Sequence, residues 1–294
     1  MIREIIAKQL LSSSKEPDPF FGMKYTMNIY RGCRHQCIYC DSRSECYQIE
    51  NFEDILVKVN AADLLRRELR SKRTKGTIGT GSMSDPYARV EERYGLTRKA
   101  LAVIADMGFP VHIITKGELV VRDLDILQQI GDTYAAVSFT ITTYDDELAA
   151  RIEPGAPSPS RRFAAMQRLS AAGIYTGITM MPILPYIEDS EENITEIVKR
   201  GKTAGAGYIL PALGVTLRDR QRAYFYRKLD EHFPGIREKY QQSFGTAYEC
   251  NPVNCDLLWE VFREACGRYG MAIGMQKYTG SGQHEQLSFF ENLE

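Results

Sequence analysis

The run Tyr25-Thr-Met-Asn-Ile-Tyr-Arg-Gly-Cys33-Arg-His-Gln-Cys37-Ile-Tyr-Cys40 sets an alternating apolar segment directly against a glycine-opened loop holding three thiols. The alternation over Tyr25–Tyr30 has the period of a strand with one buried face. Five more such runs follow, at Thr77–Gly81, Val111–Thr115, Tyr134–Ile141, Ile174–Met181 and Tyr208–Leu213. Amphipathic stretches lie between and after them, at Asp54–Arg70, Thr97–Met107, Asp123–Ile130, Pro159–Ala172, Glu191–Ala204 and Asp219–Glu231. In the fourth, Phe163, Met166 and Leu169 recur at helical spacing, Ser158 and Pro159 open the helix, and Gly173 ends it.

Six strand–helix alternations in one direction predict a parallel sheet with helices outside it. Six units are fewer than the eight of a full TIM barrel. The expected class is therefore α/β, a partial (β/α)6 TIM-type barrel with a mostly helical C-terminal extension. The expected organisation is an N-terminal extension over 1–23, the barrel over 24–233, and the helical extension and tail over 234–294.

Composition narrows the function. Thirty-seven Lys and Arg against 38 Asp and Glu give a formal charge of −1, so a strongly basic polyanion-binding field is excluded and any nucleic-acid contact must be local. No apolar run reaches the roughly 18 residues that span a bilayer. With no signal-peptide pattern at the start, the chain reads as cytoplasmic and without a membrane partner. Seven cysteines are too few for a disulfide scaffold of 294 residues, and their bunching at Cys33, Cys37, Cys40 and Cys46 points to metal or catalysis.

C-x3-C-x2-C spacing suits a [4Fe–4S] cluster held by three thiolates with one iron left free. A tetrahedral zinc site would want a fourth ligand, such as His35 or Cys46, and the second C-x2-4-C pair usual for zinc is missing. With Tyr39 before the last cysteine, the loop resembles that of the radical S-adenosylmethionine (SAM) enzymes. Further strings follow in order: Gly79-Thr-Gly-Ser-Met-Ser-Asp-Pro-Tyr, Ile114-Thr-Lys, Val137-Ser-Phe-Thr-Ile and Ile152-Glu-Pro-Gly-Ala-Pro-Ser. Together they resemble the spore photoproduct lyase-related branch of that family, whose named member repairs a UV-made thymine adduct in DNA.

The resemblance implies that Cys33, Cys37 and Cys40 hold the cluster and that SAM is cleaved reductively to a 5′-deoxyadenosyl radical. It places Tyr39 beside the adenine through its backbone, Ser82, Ser84 and Asp85 at the methionyl end of SAM, Lys116 on the SAM carboxylate and Ser138 on a ribose hydroxyl. Glu153, with Arg151 beside it, is either a salt-bridged loop residue or part of the mouth. The branch's hydrogen-donating cysteine is replaced here by Ser82, a poor donor, which leaves Cys46, Cys250, Cys255 and Cys266 as candidate donors. C-x4-C-x10-C over the last three matches no cluster spacing, so these are otherwise expected to be packing thiols.

The expected substrate is a damaged or modified DNA base. RNA, a peptide or a small metabolite is the alternative, and the rival of another class is a non-enzymatic metal-binding adaptor. Arg218, Arg220, Arg222, Arg227 and Lys228 interleave with Tyr224, Phe225 and Tyr226, which reads either as a nucleic-acid surface or as a helix with one basic and one aromatic face. Gln286-Leu-Ser-Phe-Phe290 resembles the peptide by which bacterial repair proteins bind the DNA sliding clamp. A flavodoxin or ferredoxin is the expected electron donor.

Overall fold

The computed structural model describes residues 1–49, 51–81, 83–280 and, for the backbone, 284–286. Eight strands form the central sheet: β1 (Leu11–Ser13), β2 (Met23–Met27), β3 (Thr77–Thr80), β4 (Val111–Thr115), β5 (Ala135–Thr140), β6 (Tyr175–Ile183), β7 (Tyr208–Leu213) and β8 (Ala272–Ile273). Their spatial order follows the chain, and every neighbouring pair is parallel except β1 against β2. The six predicted strands are β2 to β7, each within three residues of its expected ends. This is the partial barrel, with β1 and β8 added at its edges by the two extensions.

Strands covered on both sides read as continuous β-branched runs. Val111 and Ile113 of β4, with Ile78, Val137, Phe139 and Ile178, join the outer core against the helices. The alternate positions face the inside of the barrel, where Ala136, Tyr208 and Leu210 pack with Met275. Helices α1 (Ala61–Arg70), α2 (Leu96–Met107), α3 (Leu124–Gly131), α4 (Pro159–Ala171) and α5 (Glu191–Thr203) follow the strands, and α6 (Asp219–His232) and α7 (Ile236–Phe244) follow β7. In α4, Ser158 is the extended N-cap and Pro159 the first helical residue, as its sequence predicts. The last helix, α8 (Cys255–Tyr269), lies against α5. Among the described residues no helix is long and apolar enough to cross a membrane.

One expectation needs correction. The segment expected to be a helix from Asp54 begins instead with the strand Ile55–Lys58, and α1 starts only at Ala61. Ile55–Lys58 runs parallel to Ile2–Ile5 and antiparallel to Tyr30–Arg31. Its partners lie tens of residues away, so local periodicity did not reveal them, although Ile55 and Val57 are both buried.

Candidate active site

The cysteine loop leaves β2 and crosses the C-terminal ends of the parallel strands, the face where such barrels place their chemistry. Cys33 and Cys37 are buried, Cys40 is half-buried, and none is in a disulfide. A second segment holds the loop in place: Ile38 N–H donates to Ile152 O at 2.9 Å and Gly155 N–H to His35 O at 2.9 Å. A Cβ on Gly155 would lie 2.0 Å from Arg34 O, so only glycine allows this approach. The Pro-rich Glu153–Pro157 stretch is therefore a wall of the cysteine loop.

A cavity of about 90 Å3 is bordered by all three thiols and, opposite them, by Ser84, Asp85 and Lys116. Burial pushes the Cys33 thiol up to about 12 and raises Cys37 and Cys40 as well. Among the described residues no three His, Cys, Asp or Glu side chains stand close enough to hold one ion. A cluster does not require that, because its thiolates sit on separate irons. Three unbridged thiols converging on one cavity are the soft donor set such a cluster needs.

Asp85 is reached from three elements. Its Oδ1 accepts from Thr115 Oγ1 at 2.6 Å and from Tyr87 N at 2.8 Å, and its Oδ2 accepts from Lys116 N at 2.6 Å. His35 Nε2, from the middle of the cysteine loop, stands 3.1 Å from Oδ2, while its Nδ1 bonds Gly155 O at 3.1 Å. Burial opposes ionisation of Asp85, but His35, the Lys116 N–H and the Thr115 hydroxyl override it and hold the carboxyl below its ordinary range. Ser84 donates its hydroxyl to Tyr30 O at 2.6 Å. Ser82 lies outside the described residues.

A second polar group flanks the thiols. Glu153 is 1% exposed and accepts from the Tyr39 hydroxyl. Arg162 Nη2 is 2.5 Å from its Oε2, and Lys116 Nζ is 3.6 Å from its Oε1. Burial would raise the Glu153 carboxyl, and the Arg162 and Lys116 charges bring it below its usual value. Arg151 plays no part, since its guanidinium donates to His232 O and lies over the Phe233 ring. Glu153 is thus no solvated loop residue, and its ion-pair partners are Arg162 and Lys116. Arg162 went unread in the sequence. The available signal was its position, four residues before Met166 and seven before Leu169 on the apolar stripe of α4.

The remaining expected residues separate. Ser138 is fully buried inside the barrel, 2.7 Å from His112 Nε2 and 2.6 Å from the Tyr208 hydroxyl, and does not border the thiol cavity. Tyr39 does flank the site: its ring lies under Lys116 Nζ at 5.6 Å, and its carbonyl accepts from Gln221 Nε2 at 3.1 Å. Cys250 is buried in one packed group with Cys37 and Tyr39. Cys266 packs in the outer core with Cys255 at its edge, and Cys46 is exposed.

Three arginines of the basic run at α6 are already engaged, while Arg227 stays 64% exposed, 3.9 Å from Glu231. Arg218 pairs with Asp41, Arg220 donates to Arg43 O at 2.8 Å, and Arg222 donates to Leu217 O at 2.7 Å and Ala247 O at 2.6 Å. The clamp-like peptide begins at Gln286, which ends a short backbone strand His284–Gln286, and its residues 287–290 lie outside the described residues.

Comparison with known proteins agrees with this geometry. Residues 27–204 match the model of the Radical SAM superfamily. An uncharacterized protein of Mycobacterium tuberculosis is 30% identical over 281 residues, covering 92% of this chain and 81% of the relative. A radical SAM Nα-GlyT isomerase of Pseudomonas phage M6 is 24% identical over 193 residues, 65% of this chain and 40% of that protein. The structure of spore photoproduct lyase complexed with dinucleoside spore photoproduct superimposes with a TM-score of 0.69 at 17% identity, covering 92% of this chain and 81% of the lyase. A lyase variant with bound AdoMet and the same dinucleoside gives the same score. The chain therefore belongs to the radical SAM superfamily and has the fold of spore photoproduct lyase.

Proposed function

We propose that this radical SAM enzyme acts on a damaged or modified base in DNA, and that Cys33, Cys37 and Cys40 hold its cluster. The family's cofactors are a [4Fe–4S] cluster and SAM. When bound, they supply an electron and a sulfonium whose cleavage gives methionine and the 5′-deoxyadenosyl radical. The observation that carries the reading is the thiol cavity, bordered by Lys116 and Asp85 at the strand ends of a fold shared with the lyase over 92% of the chain.

Within that cavity Lys116 faces the SAM carboxylate. The Ser84–Asp85 strand end meets the ammonium, with the Asp85 charge fixed by His35 and Thr115. Tyr39 lies by the adenine. Ser82 is assigned to the methionyl end from its place in the sequence, and Ser138, held between His112 and Tyr208 away from the thiol cavity, is left out of the SAM contacts. A base inside a duplex must first be flipped out, at a cost of a few kcal/mol. With serine at position 82, we assign the hydrogen-donor role to Cys250, because it lies in the same buried group as Cys37 and Tyr39, ahead of Cys46, Cys255 and Cys266. A flavodoxin- or ferredoxin-type protein supplies the electron, and Gln286–Phe290 docks to the sliding clamp. Deleting those five residues should abolish clamp pull-down and leave the cluster spectrum intact; unchanged pull-down ends that assignment.

The test is 5′-deoxyadenosine formation by anaerobically reconstituted, reduced protein with SAM and either UV-irradiated or undamaged DNA. Stimulation by irradiated DNA alone is expected. Equal formation with both would remove the damaged base and turn the search to RNA, peptides and metabolites.

A further inference from the structure

A buried arginine is costly unless it is paired, and Arg162 is paired with a carboxylate and donates to two backbone carbonyls. Its side chain is 1% exposed. Its Nε donates to Pro157 O at 2.8 Å and its Nη1 to Thr140 O at 2.9 Å, leaving Nη2 for Glu153. Glu153 then faces two cations and the Tyr39 hydroxyl at once. The cations are not equivalent, since Arg162 is 2.5 Å from the carboxylate and Lys116 is 3.6 Å away. Among the described residues Glu153 is the carboxylate within ion-pair reach of both cations, with Asp85 and Glu188 acting on Lys116 from farther away, and the looser partner is the one that borders the thiol cavity.

We propose that Arg162 is a positioning residue for SAM: by engaging Glu153 it keeps the Lys116 ammonium available to a carboxylate-bearing ligand in the cavity. The inference rests on the assignment of Lys116 to the SAM carboxylate. Without Arg162, Glu153 keeps a single cationic partner and draws Lys116 onto itself, so an incoming carboxylate has to compete with a built-in one. Tyr39 belongs to the same arrangement, because the Glu153 carboxylate that restrains Lys116 also receives its hydroxyl.

The competition makes a prediction that a merely structural role does not. In reconstituted holoprotein of verified iron and sulfide content, SAM dissociation constants are measured by equilibrium dialysis with labelled SAM. Arg162→Met should weaken SAM binding about tenfold, a coupling of ordinary size for groups in one charge network. Arg162→Lys should recover part of the loss. Adding Glu153→Gln to Arg162→Met removes the competing carboxylate and should bring affinity back to within about threefold of the parent, whereas structural damage would accumulate.

Arg162→Met binding SAM as tightly as the parent, or a double variant no better than Arg162→Met alone, overturns the proposal. Lys116→Met separates the two levels. If Lys116→Met binds SAM normally, the carboxylate assignment fails and the proposal falls with it. If Lys116→Met is weak while Arg162→Met is normal, only the role of Arg162 fails.

Discussion

Arg162 and the arginines of α6 look opposite in sequence and opposite in structure, with the roles exchanged. Arg218, Arg220 and Arg222 are crowded among aromatics and have the composition of a base-stacking surface. Folded, they tie α6 to the segment just after Cys40 and to the Gly245–Ala247 turn. Arg162 is one arginine on an amphipathic helix, yet it reaches the wall of the cysteine loop and meets Glu153 there. The difference is the acceptor each guanidinium finds. Backbone carbonyls take up Arg220 and Arg222 and the half-exposed Asp41 takes up Arg218, whereas Arg162 meets a buried carboxylate already shared with Lys116 and Tyr39. Local composition records the charges and not their partners, and the partners decide the role.

Three sets of substitutions test that contrast. The largest effect is expected at the mouth. Glu153→Ala strands the buried Arg162 and frees the half-buried Lys116, and should cost about 3–5 kcal/mol, read as a lower urea midpoint of the anaerobic holoprotein. A loss below 1 kcal/mol would mean that water enters the group freely.

Asp85→Asn should come next, at about 1.5–3 kcal/mol for hydrogen bonds made to a charged group. Its pH dependence has a definite sign. The Asp85 carboxyl is held below its ordinary value, so its stabilisation is complete above the unfolded pKa of about 3.9 and is lost as pH falls toward the folded value. The parent and Asp85→Asn stability curves should therefore converge below about pH 4. Parallel curves there would remove the carboxylate's charge from the explanation.

The smallest effects belong to α6. Arg220→Ala leaves the Arg43 and Ile49 carbonyls short of a donor and should cost about 1–2 kcal/mol. Arg218→Ala breaks an ion pair whose two side chains are each 33% exposed and should cost no more than about 1 kcal/mol. If DNA stimulates turnover as proposed, neither should change the salt dependence of that stimulation. A shallower salt slope in either variant would restore these arginines as phosphate contacts.

Legibility followed the range of the interactions. Val111–Thr115 and Tyr208–Leu213 were readable because a strand covered on both faces is mostly apolar along its length. Ile55–Lys58 and Ala272–Ile273 were not, because each is short and takes its identity from partners far along the chain. At the site, the three thiols that border one cavity were legible in their spacing, whereas Lys116 was singled out only through the family resemblance, since a strand-end lysine by itself reads as a surface residue. The fourfold engagement of Asp85, the burial of Ser138 between His112 and Tyr208, and the Arg162–Glu153 pair had no local signature.

By itself the sequence determined the strand–helix alternation, the cysteine loop after the first barrel strand, and hence the chemistry the chain belongs to. These depend on residues within one turn or one loop of each other, where spacing is geometry. Only the tertiary structure decided which charges share a carboxylate, which arginines are already engaged, and which distant thiol joins the packed group of Cys37 and Tyr39. Those choices join residues on different elements, some of them more than a hundred positions apart, as Tyr39 is from Glu153 and Asp41 from Arg218. They are set by burial, which makes an unpartnered charge too costly to leave and so selects the partner.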